Sequence, residues 1–95
     1  MYLGYNRIVV DAEVKTASDL TIPSTATGAV LQSDTAAVRY TCDNATNPNS
    51  GNGMLLRLTD PPFEMLIEDV LRIRFCKDGV AGSATLHVHY FGSHE

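Results

Sequence analysis

The sequence predicts an all-β protein, a small antiparallel β-sandwich or jelly roll of about seven to eight short strands. Three observations carry that prediction. Apolar and polar residues alternate along short runs from Ile8 to Phe91, the period of a pleated strand with one buried face. Clusters of Gly, Pro, Asn, Asp and Ser interrupt these runs at intervals of roughly 8–12 residues, the spacing of sandwiches and barrels. No segment sustains the 3.6-residue period of an amphipathic helix, so helix is a minor component.

The opening run, Tyr2 to Val14, contains the contiguous β-branched residues Ile8, Val9 and Val10, which suit a strand buried on both sides or lying against a partner. Tyr2, Leu3 and Tyr5 are too apolar for a solvated tail. They either pack on their own domain or form an arm that docks elsewhere. Residues 1–17 are therefore read as an N-terminal strand or arm, and residues 18–95 as the single sandwich domain. Ser18 to Pro23 reads as a short extended piece, with Pro23 confining it to an edge or a strand end.

Ala26–Ser33 and Ala36–Cys42 read as a hairpin around Ser33-Asp34-Thr35, because Ser and Asp side chains bond nearby backbone in turns. Val38, Tyr40 and Cys42 fall on one face of the second run, Arg39 and Thr41 on the other. Asp43 to Gly53 lacks apolar periodicity and reads as a surface loop of residues that tolerate left-handed backbone. Met54–Leu58 is a strand stopped by Thr59-Asp60-Pro61-Pro62. Phe63–Ile67 reads as a strand, with a helical turn through Glu64–Val70 as the competing assignment.

Val70–Cys76 alternates Leu71, Ile73 and Phe75 against Arg72, Arg74 and Cys76, the pattern of a half-buried strand. Asp78–Ser83 turns the chain into the clearest strand, Ala84–Phe91. There Leu86, Val88 and Tyr90 share one face, and Thr85, His87, His89 and Phe91 the other. The predicted core is Leu31, Val38, Tyr40, Leu56, Leu71, Ile73, Phe75, Leu86, Val88 and Tyr90.

Ninety-five residues make one domain with a thin core. The net charge of -4, with Lys and Arg scattered, argues against nucleic acid as a partner, since that needs clustered cations. No apolar stretch is long enough to cross a bilayer, so no membrane partner is expected. Residues 1–7 lack the basic-then-apolar pattern of a secretory signal, which predicts synthesis in a cytoplasm. Cys42 and Cys76 lie far apart without metal-ligand spacing, and in a reducing compartment they are expected as free, part-buried thiols.

His87 and His89 stand two apart on one strand, so both rings point the same way. A metal site would need a third ligand, for which His94 is the neighbour, and orienting groups that the sequence does not supply. The two rings are read as facing solvent or a partner, and no metal or cofactor is expected. Asp60, Glu64, Glu68 and Asp69 read as solvated charges. No serine sits in a nucleophile-elbow motif, and Gly51-Asn52-Gly53 lacks the Lys-Ser/Thr of a phosphate loop. The expectation is a protein that is not an enzyme. Its candidate partner interface is the surplus of apolar and aromatic residues at both ends: Tyr2, Leu3, Tyr5, Ile8 and Val10 with His87, His89 and Phe91.

Leu20-Thr21-Ile22-Pro23, Ala26-Thr27-Gly28-Ala29-Val30-Leu31-Gln32 and Ala37-Val38-Arg39-Tyr40 follow one another closely. A polar loop, Gly53-Met54-Leu55-Leu56, Ile73-Arg74-Phe75, a Gly-containing turn and the run Ala84 to Phe91 complete the order. From Leu20 to Phe91 this resembles the small virion proteins encoded among the structural genes of tailed bacteriophages. The chain departs from that pattern in the loop, where Cys42 to Pro48 replaces a D-G-T-x-P type segment, and in its long N-terminal segment.

The resemblance implies a capsid decoration or cement protein. Such a protein oligomerises, as a dimer or trimer, on the outside of the shell and binds the major capsid protein at capsomer seams. It is made in the host bacterial cytoplasm and resides on the capsid surface of the virion. A tail, fibre or head-completion component is the alternative within the virion. A soluble carbohydrate- or receptor-binding module using the Asp43–Gly53 loop is the alternative of another class.

Overall fold

The computed structural model describes residues 2–49, 51–57, 59–79 and 82–92. They form two four-stranded antiparallel sheets. The first is ordered β1 (Tyr2–Val10), β8 (Ala84–Phe91), β3 (Gly28–Asp34), β6 (Phe63–Leu66). The second is ordered β2 (Lys15–Thr16), β7 (Arg74–Lys77), β4 (Val38–Thr41), β5 (Met54–Leu56). Of the consecutive strands, only β4 and β5 pair within one sheet; every other connection carries the chain across to the opposite sheet. This interleaving of eight strands is a jelly roll, as the sequence predicts.

Alternation dictates what lies between the sheets. Leu31, Val38, Leu56, Ile73, Phe75, Leu86, Val88 and Tyr90 are buried there as expected, joined by Val10, Ala29, Met65, Val70 and Ala84. Fully burying a large apolar side chain stabilises the fold by about 1.5–3 kcal/mol, which is how so short a chain holds together. The Tyr90 and Ser33 hydroxyls are hydrogen-bonded inside the core, and among the described residues one buried side-chain nitrogen, Arg74 Nε, has no partner. Tyr90 Oη donates to Asn6 Oδ1 at 2.6 Å, and the same oxygen accepts the Thr21 amide at 2.9 Å. Burial pushes the Tyr90 hydroxyl up to about 12. Ser33 Oγ donates to the Leu56 carbonyl at 3.2 Å, linking the two sheets.

Several local expectations are corrected. Ala26–Ser33 and Ala36–Cys42 do not form a hairpin: β3 pairs with β6 and β8, whereas β4 pairs with β5 and β7. The Ser33-Asp34-Thr35 turn is a corner between sheets, where Thr35 takes φ 76° and its amide donates to the Asp34 carboxylate at 2.9 Å. Leu71 is 56% exposed and is not a core residue. The chain makes a helical turn, α1 (Ile67–Val70), and continues through i−3 bonds from Arg72 to Asp69 and from Ile73 to Val70. The inward side is therefore shared by Val70 and Ile73, three apart, and a period of two begins only at β7.

Both readings of Phe63–Val70 hold in part: strand to Leu66, then helical turn. Ser18–Pro23 is not extended throughout. A 3-10 turn covers Ala17–Asp19, closed by reciprocal bonds between Thr16 and Asp19. Tyr40 is half-buried at the edge of the core. The strand expected over Met54–Leu58 ends at Leu56, and Leu58 lies outside the described residues. The opening segment, read as a strand or an arm, is a strand: β1 pairs with β8 from Tyr2↔Phe91 to Val10↔Ala84. Contiguous Ile8, Val9 and Val10 are not buried on both sides; β1 alternates normally and Val9 is 57% exposed.

Candidate functional site

The outer face of the first sheet gathers most of the aromatic residues that the core leaves out. Central strand β8 presents His87, His89 and Phe91 outward, between buried Val88 and Tyr90. Register then supplies their neighbours. On one side Tyr5 lies opposite His89, Arg7 opposite His87, and Tyr2 opposite Phe91. On the other, Val30 faces His89, Gln32 faces His87, and Gly28 faces Phe91. Beyond β3, Leu66 pairs with Gly28 and points to solvent.

The rings interlock. Tyr2 stacks on His89 with centroids 3.9 Å apart and planes 18° from parallel. Tyr5 meets His89 edge-on at 5.8 Å and lies near-parallel to His87 at 5.9 Å. The Tyr5 hydroxyl also hydrogen-bonds His87 Nδ1. On its other side His87 Nε2 lies 3.7 Å from an Asp34 carboxylate oxygen, so protonation of the ring would add an attraction there. The Phe91 ring lies directly over Gly28, where a Cβ would fall 2.6 Å from its Cζ. A shallow groove of about 470 Å³ runs between Tyr2, Tyr5, Val30, Gln32, Pro62, His87 and His89. Yet Tyr2 and Tyr5 remain 60% and 53% exposed. Amphipathic rings on a rigid sheet favour burial against another surface. Among the described residues, no group of three or more His, Cys, Asp or Glu side chains comes together as a metal site requires.

The outer face of the second sheet is built differently. The Asp43–Gly53 loop folds back over it. Arg74 donates to the Asn44 and Ala45 carbonyls at 3.0 and 3.1 Å and to Asn47 Oδ1 at 2.7 Å. Arg39 donates to the Gly53 carbonyl at 3.1 Å and pairs with Asp78 at 3.0 Å. Cys76 Sγ donates to the carbonyl of buried Pro48 at 3.3 Å. Cys76 shares the outward face of its strand with Arg74, and the loop covers it, so it is buried. Bonds from the Thr46 hydroxyl and amide and the Ala45 amide hold the Asp43 carboxyl down to about 2. The loop is a clasp whose polar groups are largely engaged within the chain.

Both cysteines are free thiols. Burial, then the charges of Asp69 and Asp43, push half-buried Cys42 up to about 11. Burial and Asp78 raise Cys76, with Arg39 acting in the opposite sense.

No family model, no curated protein and no solved structure matches the chain.

Of the residues proposed as a partner interface, Tyr2, Tyr5, His87, His89 and Phe91 come together on this face. Leu3 and Ile8 are half-buried and pack against the core. Val10 is fully buried and cannot touch a partner, because from Gly4 onward the even-numbered residues of β1 point inward. His94 lies outside the described residues. Val9, part of the apolar opening run, is 57% exposed. Val30, Gln32 and Leu66 carry no such signal in the sequence and are brought in only by the pairing of β3 with β8 and β6.

Proposed function

We propose that the protein is a structural component of a tailed-bacteriophage virion, a capsid decoration protein that docks on the major capsid protein through the outer face of its first sheet. The observation that carries this reading is the ring cluster of Tyr2, Tyr5, His87 and His89, ordered by stacking yet left open to solvent. A jelly roll by itself supports many functions, so the setting comes from the resemblance of residues 20–91 to small phage virion proteins.

The mechanism is area burial. Apolar surface removed from water contributes about 25 cal/mol per Å², before the cost of association is subtracted. A protomer lying across a seam between capsid subunits adds its contacts to those that internal pressure must break. The rigid sheet holds the rings in place beforehand, so little side-chain entropy is lost on docking.

Co-sedimentation of the purified chain with capsids assembled from the cognate major capsid protein tests the reading. Expanded capsids should carry the protein to the pellet and procapsids should not. The double substitution Tyr2→Ala/Tyr5→Ala should fold and bind at least tenfold more weakly. Binding to neither particle, or unchanged binding by the double variant, contradicts the proposal. Binding to tails and not heads would move the protein to a tail or fibre role.

A further inference from the structure

The four sheet edges of this jelly roll are unequal. The edges at β2, β5 and β6 are two, three and four residues long, and β6 is preceded by Pro61-Pro62. Short strands and prolines are how proteins blunt edges against pairing. β1 is nine residues long, has β8 as its one strand neighbour among the described residues, and, beyond a bulge between Tyr2 and Gly4, runs regularly to Val10 with no Pro, no Lys and no inward-facing charge. The nearby segment does not cover it. Thr21 and Pro23 approach Asn6 and Gly4, whose side-chain positions point inward, beneath the strand. Half of the β1 backbone groups are thus free to pair.

We propose that this edge pairs with β1 of a second copy, antiparallel and two-fold about Asn6, joining two first sheets into one of eight strands. The sequence of the strand selects both occupant and register. An antiparallel two-fold ladder centres on a residue, so that paired side chains share a face. Centring on Arg7 sets two like charges directly opposite each other, which is destabilising. Centring on Tyr5 sets outward Arg7 against Leu3, which lies at the bulge and packs on the core, and leaves only Gly4 to Asn6 in regular register. Centring on Asn6 pairs Gly4 to Ile8 of each copy beyond the bulge and places Arg7 of each copy opposite Tyr5 of the other on the outer face. Each guanidinium then lies beside an electron-rich ring, and the contact occurs twice. About four to six backbone hydrogen bonds form across the joint. The two ring clusters become one continuous face. For its purpose the inference rests on the proposed assembly role; for its geometry it rests on the strand edge alone.

The test uses the full chain without capsids, so its failure is distinct from failure to bind them. Sedimentation equilibrium should show a reversible dimer, twice the 10.3 kDa chain mass, dissociating on dilution through the micromolar range. Arg7→Glu should weaken it roughly tenfold, since two cation–π contacts are lost. Tyr5→Cys and Arg7→Cys, mixed and mildly oxidised, should form a disulfide-linked heterodimer, while neither cross-links alone. A chain that stays monomeric at hundreds of micromolar, or that forms a trimer, overturns the proposal. Cross-linking by Arg7→Cys alone overturns the register, and a dimer indifferent to Arg7→Glu overturns the edge contact.

Discussion

The two outer faces of the sandwich solve the same problem in opposite ways. On the second sheet, polar and cationic side chains point outward, and the chain covers them itself. Arg74, Arg39 and Cys76 bind carbonyls of the 43–53 loop, and the loop's own Pro48 is buried. On the first sheet rings dominate the outward residues, among Arg7, Val30, Gln32 and Leu66, and no loop among the described residues is folded over Tyr2 and Tyr5. Tyr2, Tyr5, His87 and His89 stack among themselves and stop there. Strand length follows the same division, with β1 and β8 at nine and eight residues against two to four in the second sheet. One face is finished within the chain. The other is organised but incomplete, which is the property expected of a surface built to be covered by something else.

The largest effects should appear in the core that both faces share. Ile73→Ala should cost about 2–5 kcal/mol in urea unfolding, through lost transfer energy and a residual cavity. Leu71→Ala, two residues away, should stay within about 0.5 kcal/mol because Leu71 faces solvent. Equal losses would return Leu71 to the core.

Next is the clasp. Arg74→Ala removes three hydrogen bonds that hold the loop down. Stability should fall by about 1–3 kcal/mol, the range for bonds to a charged group that is partly solvated. Cys76 should become much more reactive toward a thiol reagent. Unchanged labelling would mean that the loop stays in place without Arg74.

The open face should matter least to folding. Tyr5→Ala should change stability by less than about 1 kcal/mol, since the ring is largely exposed and its neighbours remain paired in the sheet. A loss as large as that of Ile73→Ala would make the ring cluster a structural element and remove the contrast between the faces.

Acid should act selectively on the clasp. The folded value of Asp43, about 2, lies below its ordinary 3.8. Its contribution is therefore complete at pH values above the ordinary carboxylate range and is lost as pH falls toward 2. An NMR titration of the Thr46 amide should show that low midpoint, and Asp43→Asn should abolish the transition. A midpoint near 3.8 would mean that the loop does not hold its carboxylate.

The all-β sandwich was legible because its signal is local. Alternation in Ala84–Phe91 is uninterrupted, and the inner and outer faces of β8 fall where the pattern puts them. The failures have the opposite cause. Ser33-Asp34-Thr35 has turn chemistry in either setting, but only long-range pairing decides whether a turn joins strands in one sheet or passes between two. Val70–Cys76 fits a period of two by its residue types, yet Val70 and Ile73 are set three apart by a helical turn whose bonds leave no mark on polarity. The outer face of the first sheet was half legible. Tyr2, Tyr5, His87, His89 and Phe91 stood out as surplus rings, whereas Val30, Gln32 and Leu66 join them through register alone. Val10 was misplaced because a run of β-branched residues conceals which members point inward. The clasp was invisible, since DNATNPNSGNG is indistinguishable from any solvated loop until Arg74 is placed beneath it.

Hydrogen–deuterium exchange of the chain free and bound to expanded capsids tests the contrast between the faces most directly. Protection on binding should appear in β1 and β8, around Tyr5, His87 and His89, while amides of the 43–53 loop exchange at the same rate in both states. Protection confined to the 43–53 loop, with β1 and β8 unchanged, would contradict the account, because the face that the chain already covers would then be the one that docks.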